Sequence, residues 1–182
     1  MKDFYRLMAR PTVVISTISP GGVSNAAPFS FCSPMASKPR PLFGFSCEVE
    51  HDTWRNIQQN GEFVVNLVGQ EFGPLMEMLE THYPYEVSEI EKCGLTVANS
   101  SKVKPPRIAE AYGWIECRMR EHTELSERSV WIIGEVLDSD AKEDLYDVGK
   151  NVIDVGKVKP LNHIWGDIFT EMTEIRFKRA LK

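Results

Sequence analysis

The chain has 182 residues, a formal net charge of −5, and 42% hydrophobic against 26% charged residues. This size predicts one domain, residues 1–182, with a sizeable buried core. The acidic balance argues against nucleic acid or an anionic membrane as partner, and no run of about 18 apolar residues exists to span a bilayer.

The stretch Met1–Arg6 lacks the apolar run of a signal peptide, so a cytoplasmic location is expected. Cys32, Cys47, Cys93 and Cys117 are irregularly spaced and read as buried free thiols. His51, His82, His122 and His163 lack metal-ligand spacing, so no metal is expected.

"PTVVISTIS", 11–19, predicts a strand, "SPGG", 19–22, a turn, and "VSNAAPFSF", 23–31, a returning strand. The returning strand is odd. Pro28 and two alanines occupy positions where strands favour β-branched and aromatic residues. One reading is an edge strand protected by its proline. The other is a ribbon whose N–H and C=O groups face a flat ligand with donors and acceptors along its rim.

In "LFGFSC", 42–47, Phe43 and Phe45 share one face and Gly44 and Ser46 the other, leaving room for something flat or bulky. Asp52 then opens a helix that ends at Asn60-Gly61. Its N-terminus offers free N–H groups and partial positive charge, a natural phosphate site, with Ser46 and Thr53 as hydroxyl donors and Arg55 and Asn56 in the first turn. An ordinary cap by Asp52 is the alternative.

Further along, 62–68 reads as a strand, 73–82 as a helix opening on Pro74, and 88–94 as a helix with a Ser88–Glu91 capping box. Two long strands, 112–122 and 130–140, are expected to pair through a long "ELSERS" loop; 148–161 is ambiguous, and 173–179 alternates as a last strand. Trp114, Trp131, Met76, Met78 and Leu79 read as core or subunit contacts. Six or seven strands with short helices predict an antiparallel barrel or sandwich, and pattern alone does not choose between them. No dinucleotide or Walker-type glycine loop is present.

The run "RPTVVISTISPGGVSNAAPFSFCSPMASKPRPLFGFS", followed by "DTWRNIQQNGEFVVNLV", "GLTVANSSKVKPPRIAEA", "IECRM" and "IIGEV", resembles the flavin reductase-like, FMN-binding split-barrel family from about Arg10 to Leu161. The resemblance implies a mainly β fold, a Greek-key split β-barrel with short peripheral helices, assembled as a homodimer with FMN near the subunit interface. Its "A-P-F-S" match implies that Ala27, Pro28, Phe29 and Ser30 line the isoalloxazine ring. Phe45, Ser46, Thr53 and Asn56 would hold ribityl and phosphate, while Asn25 and Asn66 match family positions that could equally be structural.

The implied chemistry is hydride transfer from NADH or NADPH to flavin N5, with electrons passed to a further acceptor. No protein nucleophile or base is needed, so no catalytic side chain is expected. Two departures matter. Family members often carry Lys or Arg before the "D-T" pair, where this chain has Glu48, Glu50 and His51. A protonated His51 would partly compensate, or Arg10, Lys102, Lys104 or Arg107 would supply charge through the fold or from a partner subunit. The segment 162–172, "NHIWGDIFTEM", also departs, and places His163 as a candidate on the nicotinamide side and Trp165 as the aromatic to watch. Three readings follow: an NAD(P)H-dependent flavin reductase, an FMN-binding electron carrier, or a binding module that has lost flavin.

Overall fold

The structure, a computed structural model, describes residues 1–177. Its strands are β1 (Arg10–Pro11), β2 (Val13–Ile18), β3 (Ser24–Phe29), β4 (Cys32–Ala36), β5 (Leu42–Glu48), β6 (Glu62–Leu67), β7 (Val97–Ala98), β8 (Arg107–Ile108), β9 (Gly113–Ser126), β10 (Ser129–Ala141), β11 (Tyr146–Asp147), β12 (Val152–Ile153), β13 (Asn162–Trp165) and β14 (Ile168–Thr170). Four short helices accompany them: α1 (Asp52–Asn60), α2 (Met76–Leu79), α3 (Glu89–Lys92) and α4 (Val155–Val158).

Seven strands form one antiparallel sheet in the order β3-β2-β6-β9-β10-β5-β4. The sheet curls until its two edges approach. The Phe29 ring of β3 lies 5.0 Å from Phe45 of β5, and the Ser46 N–H donates to the Phe31 carbonyl at 2.9 Å. No continuous ladder joins β3 to β4, which is the split in the barrel.

β2 is buried on both faces, which explains its unbroken apolar run. Val13 and Ile15 enter the barrel core with Phe29, Phe43, Phe45, Phe63 and Ile132. Val14 faces a second core of Ala26, Phe72, Met76, Leu79, Ile90 and Ile108, beneath α2 and α3. Trp54 and Ile57 of α1 close one side of the barrel core. Gly61 ends α1 at φ 70°, a left-handed conformation that glycine adopts without steric cost.

A buried clasp holds the 99–107 loop against β9. The Glu116 carboxylate accepts from the N–H groups of Ser101 and Lys102 at 2.9 and 2.6 Å and from Arg107 Nε at 2.6 Å.

Several expectations are corrected. The β9–β10 strands run on to Ser126 and Ser129, so their turn is Glu127-Arg128 and not a long loop. Segment 73–82 is a 3-10 turn, Gln70–Leu75, with Pro74 inside it, followed by the single turn α2. The ambiguous 148–161 segment forms β12 and α4. Residues 173–177 form no strand; an alternating pattern needs a free sheet edge to pair with, and none receives it. Residues 178 and 179 of that expected strand lie outside the described residues. The bulky neighbour of Gly44 is the chain itself: a Cβ there would meet Trp131 Nε1 at 2.8 Å and also the Met35 sulfur.

Candidate active site: the free edge of the proline ribbon

β3 pairs only with β2, in a register that sets Ala26 opposite Ser16 and Pro28 opposite Val14. The Ala26 N–H points away from β2 and donates to Glu89 Oε2 at 3.1 Å. Pro28 is two residues on and shares that outward side, where it has no N–H to offer. The edge is therefore blunted against another strand, and its outward carbonyls remain available. The segment is an edge strand, and it borders a cavity.

That cavity, about 370 Å³, runs along the edge and is lined by Asn25, Ala26, Ala27, Pro28, His51 and His82, with Glu48, Asp52, Glu80 and Glu89 among the rest. Its volume falls in the range of small-molecule sites. A second, narrow cavity of about 30 Å³ continues past Pro28 and Phe29 to Ser30, His163 and Thr12. Two buried polar atoms lack partners, Thr12 Oγ1 and His51 Nδ1, and their residues line these two spaces. Buried polar atoms are almost always paired, so both point to a missing ligand group or water.

The ribbon is held by a polar network. Asn25 Oδ1 accepts from Thr17 and Thr53 hydroxyls, each at 3.1 Å, and Asn25 Nδ2 donates to Glu89 at 3.1 Å. Asn56 Nδ2 donates to Thr17 at 3.0 Å, and Asn56 Oδ1 accepts from Tyr85 at 2.6 Å. Burial pushes the Glu89 carboxyl above its ordinary range, against the opposing pull of its N–H donors.

The site residues expected from sequence divide accordingly. Asn25, Ala27, Pro28 and His51 line the main cavity; Pro28, Phe29, Ser30 and His163 line the narrow one. Phe45 is fully buried in the barrel core between Phe29 and Phe63, because its face of β5 points inward. Thr53 and Asn56 are buried and turned into the network that positions the ribbon, so neither hydroxyl nor amide is free at the helix N-terminus. Ser46 lines neither cavity; its N–H donates to the Phe31 carbonyl and extends the β4–β5 ladder. Asp52 is the first residue of α1, and His51, without a side-chain cap bond, holds the N-cap position.

Electrostatics sharpen the departure noted in "EVEH". Among the described residues no lysine or arginine lines the main cavity, whereas Glu48, Asp52, Glu80 and Glu89 do. Burial lowers the pKa of His51, with Glu48 opposing, which works against the protonated imidazole expected to compensate for the missing Lys or Arg. Arg107 is engaged with Glu116 and Asp138, and Arg55 stacks 3.6 Å from the Tyr85 ring centre.

Both ring nitrogens of His163 have protein partners: Nδ1 lies 3.4 Å from Arg10 Nη2 and Nε2 3.0 Å from the Gly166 carbonyl. Trp165 is exposed and carries the Arg6 guanidinium 3.7 Å from its ring centre. Sequence reasoning missed Thr12, Glu80 and Glu89. Thr12 read as one residue of a strand and Glu89 as part of a capped helix; neither position carries a local signal of its neighbourhood.

The model of the flavin reductase-like domain matches residues 4–161. The chain belongs to that family. A flavin reductase-like chain of this kind has a relative in Aquifex aeolicus, 34% identical over 170 residues, covering 91% of this chain and 85% of the relative. Among solved structures, nitrilotriacetate monooxygenase component B from Bacillus cereus superposes with a TM-score of 0.86 at 28% identity, covering 98% of this chain and 93% of that one. A Shewanella frigidimarina protein with a split barrel domain gives a TM-score of 0.85 at 22% identity, covering 94% and 87% respectively, and so bears on the fold alone. No helix among the described residues is long and apolar enough to cross a membrane.

Proposed function

We propose that this flavin reductase-like chain binds FMN along the free edge of β3 and works as an NAD(P)H-dependent oxidoreductase. The observation that carries the reading is the cavity beside Asn25–Pro28, continued by the narrow space beside Ser30 and flanked by two unpartnered buried polar atoms. When bound, the flavin supplies the redox chemistry, accepting hydride from a reduced nicotinamide and passing electrons to an acceptor. The chain's own part is to hold the ring edge against the outward carbonyls of the ribbon, which its pairing with β2 keeps in place.

The residues fit a flat polar-edged ring better than a phosphate, because the cavity holds four carboxylates and, among the described residues, no Lys or Arg. A homodimer in which the second copy brings positive charge to this cleft reconciles that departure with FMN binding. Purification without added cofactor, followed by an absorbance spectrum and NADH and NADPH oxidation with added FMN, tests the proposal. A colourless protein that neither quenches FMN fluorescence nor oxidises either nucleotide refutes it.

A second reading, an FMN-binding electron carrier without direct nicotinamide reactivity, draws support from the space beside His163. At about 30 Å³ it has room for a water molecule and not for a nicotinamide ring. Stopped-flow mixing of flavin-loaded protein with NADH or NADPH separates the two, since rapid bleaching excludes the carrier.

A further inference from the structure

The face of β4, β5 and β10 that points away from the barrel core carries exposed apolar side chains. Gly44 marks that face, since Phe43 and Phe45 on either side of it point inward. Met35 and Trp131 meet over Gly44, and Phe31 and Met35 each remain 46% exposed. The 3-10 turn Phe4–Leu7 extends the patch. Its Tyr5 ring lies 5.6 Å from Phe4 and 6.2 Å from Phe31 between centres, and Phe4 and Leu7 are exposed. A continuous apolar patch on a water-facing surface marks an interaction site.

The two ends of this face differ in charge. At one end the β4–β5 turn holds Lys38 and Arg40, both exposed and neither in an ion pair among the described residues. Glu135 stands nearby, opposite Leu42. At the other end, roughly 20 Å along β5 and just past it, are Glu48, Glu50 and Asp52. Their own cations are held loosely: Glu48 is 4.0 Å from Arg128 and 3.9 Å from His51, and Asp52 is 4.0 Å from Arg55. A second copy set face to face on this patch has two two-fold arrangements. An axis parallel to the strands stacks like charge on like charge. An axis across the strands near Pro34 reverses their direction and brings each basic turn to the acidic end of the other copy. Charge selects the second arrangement. Pro34, which has no N–H to donate, blunts the β4 edge, so the contact is through side chains and not through a continued ladder.

We propose that the outer face of β4 and β5 is a two-fold interface with a second copy of this chain, and that Lys38 and Arg40 of each copy reach the acidic rim of the other's ribbon cavity. Glu48 and Asp52 belong to that rim, and no Lys or Arg among the described residues lines the cavity from within. The site is therefore completed electrostatically only in the dimer. This rests on the homodimer reading of the cleft and is independent of which ligand the cleft holds.

The test mixes unlabelled and isotope-labelled full-length protein, exchanges subunits by dilution and reconcentration, and joins amines to carboxylates with a zero-length carbodiimide. Mass spectrometry is expected to find Lys38 linked to Glu48, Glu50 or Asp52 in peptide pairs that carry one labelled and one unlabelled member. The span of roughly 20 Å along β5 forbids that link within one chain. Sedimentation velocity is expected to show a wild-type dimer at micromolar concentration. The double variant Lys38→Glu/Arg40→Glu, with its folding checked by circular dichroism, is expected to dimerise at least about tenfold more weakly, because like charges then face each other at both ends. Adding Glu48→Lys and Glu50→Lys to the same chain is expected to restore much of the association. A wild type that stays monomeric overturns the inference, as does a dimer that the double variant leaves unchanged, or one in which Lys38 never links across copies. Should the double variant not fold, the cross-link in the wild type decides alone. A monomer that binds FMN overturns this interface and leaves the flavin reading standing; a cross-linked dimer that binds no FMN does the reverse.

Discussion

Replacing Phe45 by alanine separates a core role from a ligand role at a position where sequence resemblance pointed to the cofactor. Phe45 is fully buried and touches Phe29 and Phe63 edge to face, at 5.0 and 5.2 Å between ring centres. Truncating a buried phenylalanine costs roughly 3–5 kcal/mol, and two lost aromatic contacts place this site toward the upper part of that range, about 4–5 kcal/mol. For a chain of this length each kcal/mol lowers the melting temperature by roughly 2–4 °C, so the midpoint should fall by roughly 8–20 °C. Phe45→Leu preserves most of the volume and should cost only about 1–2 kcal/mol. Thermal unfolding by circular dichroism reads the stability, and FMN titration at low temperature reads the cleft. Phe45→Leu should bind FMN within about threefold of wild type. A Phe45→Leu protein of unchanged stability with flavin affinity lowered tenfold would refute the core assignment.

Two carboxylates give opposite pH signatures. Burial raises the folded-state pKa of Glu89, so ionising it in the fold carries a cost that grows as pH rises from the unfolded to the folded pKa and then persists. Both donors of Glu89 bond one oxygen, which a glutamine retains. Glu89→Gln should therefore be more stable than wild type at neutral pH, with the gap closing in acid; urea midpoints across pH check this, and a gap that widens in acid contradicts it. At Glu116, burial pushes the carboxyl up, but the N–H groups of Ser101 and Lys102 and the Arg107 guanidinium outweigh it and hold the pKa below the ordinary range. Its contribution is full above the unfolded pKa and disappears as pH falls through the folded one. Glu116→Gln should lose about 3–5 kcal/mol at neutral pH, the scale for breaking a buried pair, and approach wild-type stability in acid. The same urea series reads it, and a pH-independent difference would show that Glu116 acts by shape alone.

Much of the fold was legible because it is written in local chemistry. The β-branched run at Val13–Ile18, the Asn60-Gly61 helix stop and the Ser88 cap each depend on residues within one turn of each other. The ribbon was legible too, since Pro28 limits pairing wherever the chain carries it. Its neighbours were not. Thr12, Glu80 and Glu89 reach the cavity from three separate elements, and no spacing along the chain encodes that meeting.

The same division explains the residues whose roles changed. Alternation placed Phe43 and Phe45 on one face of β5, but only the curl of the sheet decided that this face is the barrel interior. Sequence by itself determined the strand-rich composition, the bounds of the Asp52–Asn60 helix and a proline-blunted edge, because those follow from backbone sterics and hydrogen bonding close in the chain. Tertiary structure alone decided that Thr53 and Asn56 turn inward, that carboxylates ring the cavity, and that Arg10 lies buried against Ser30. Burial and electrostatic environment belong to contacts between distant residues, and they come into being only when the sheet closes.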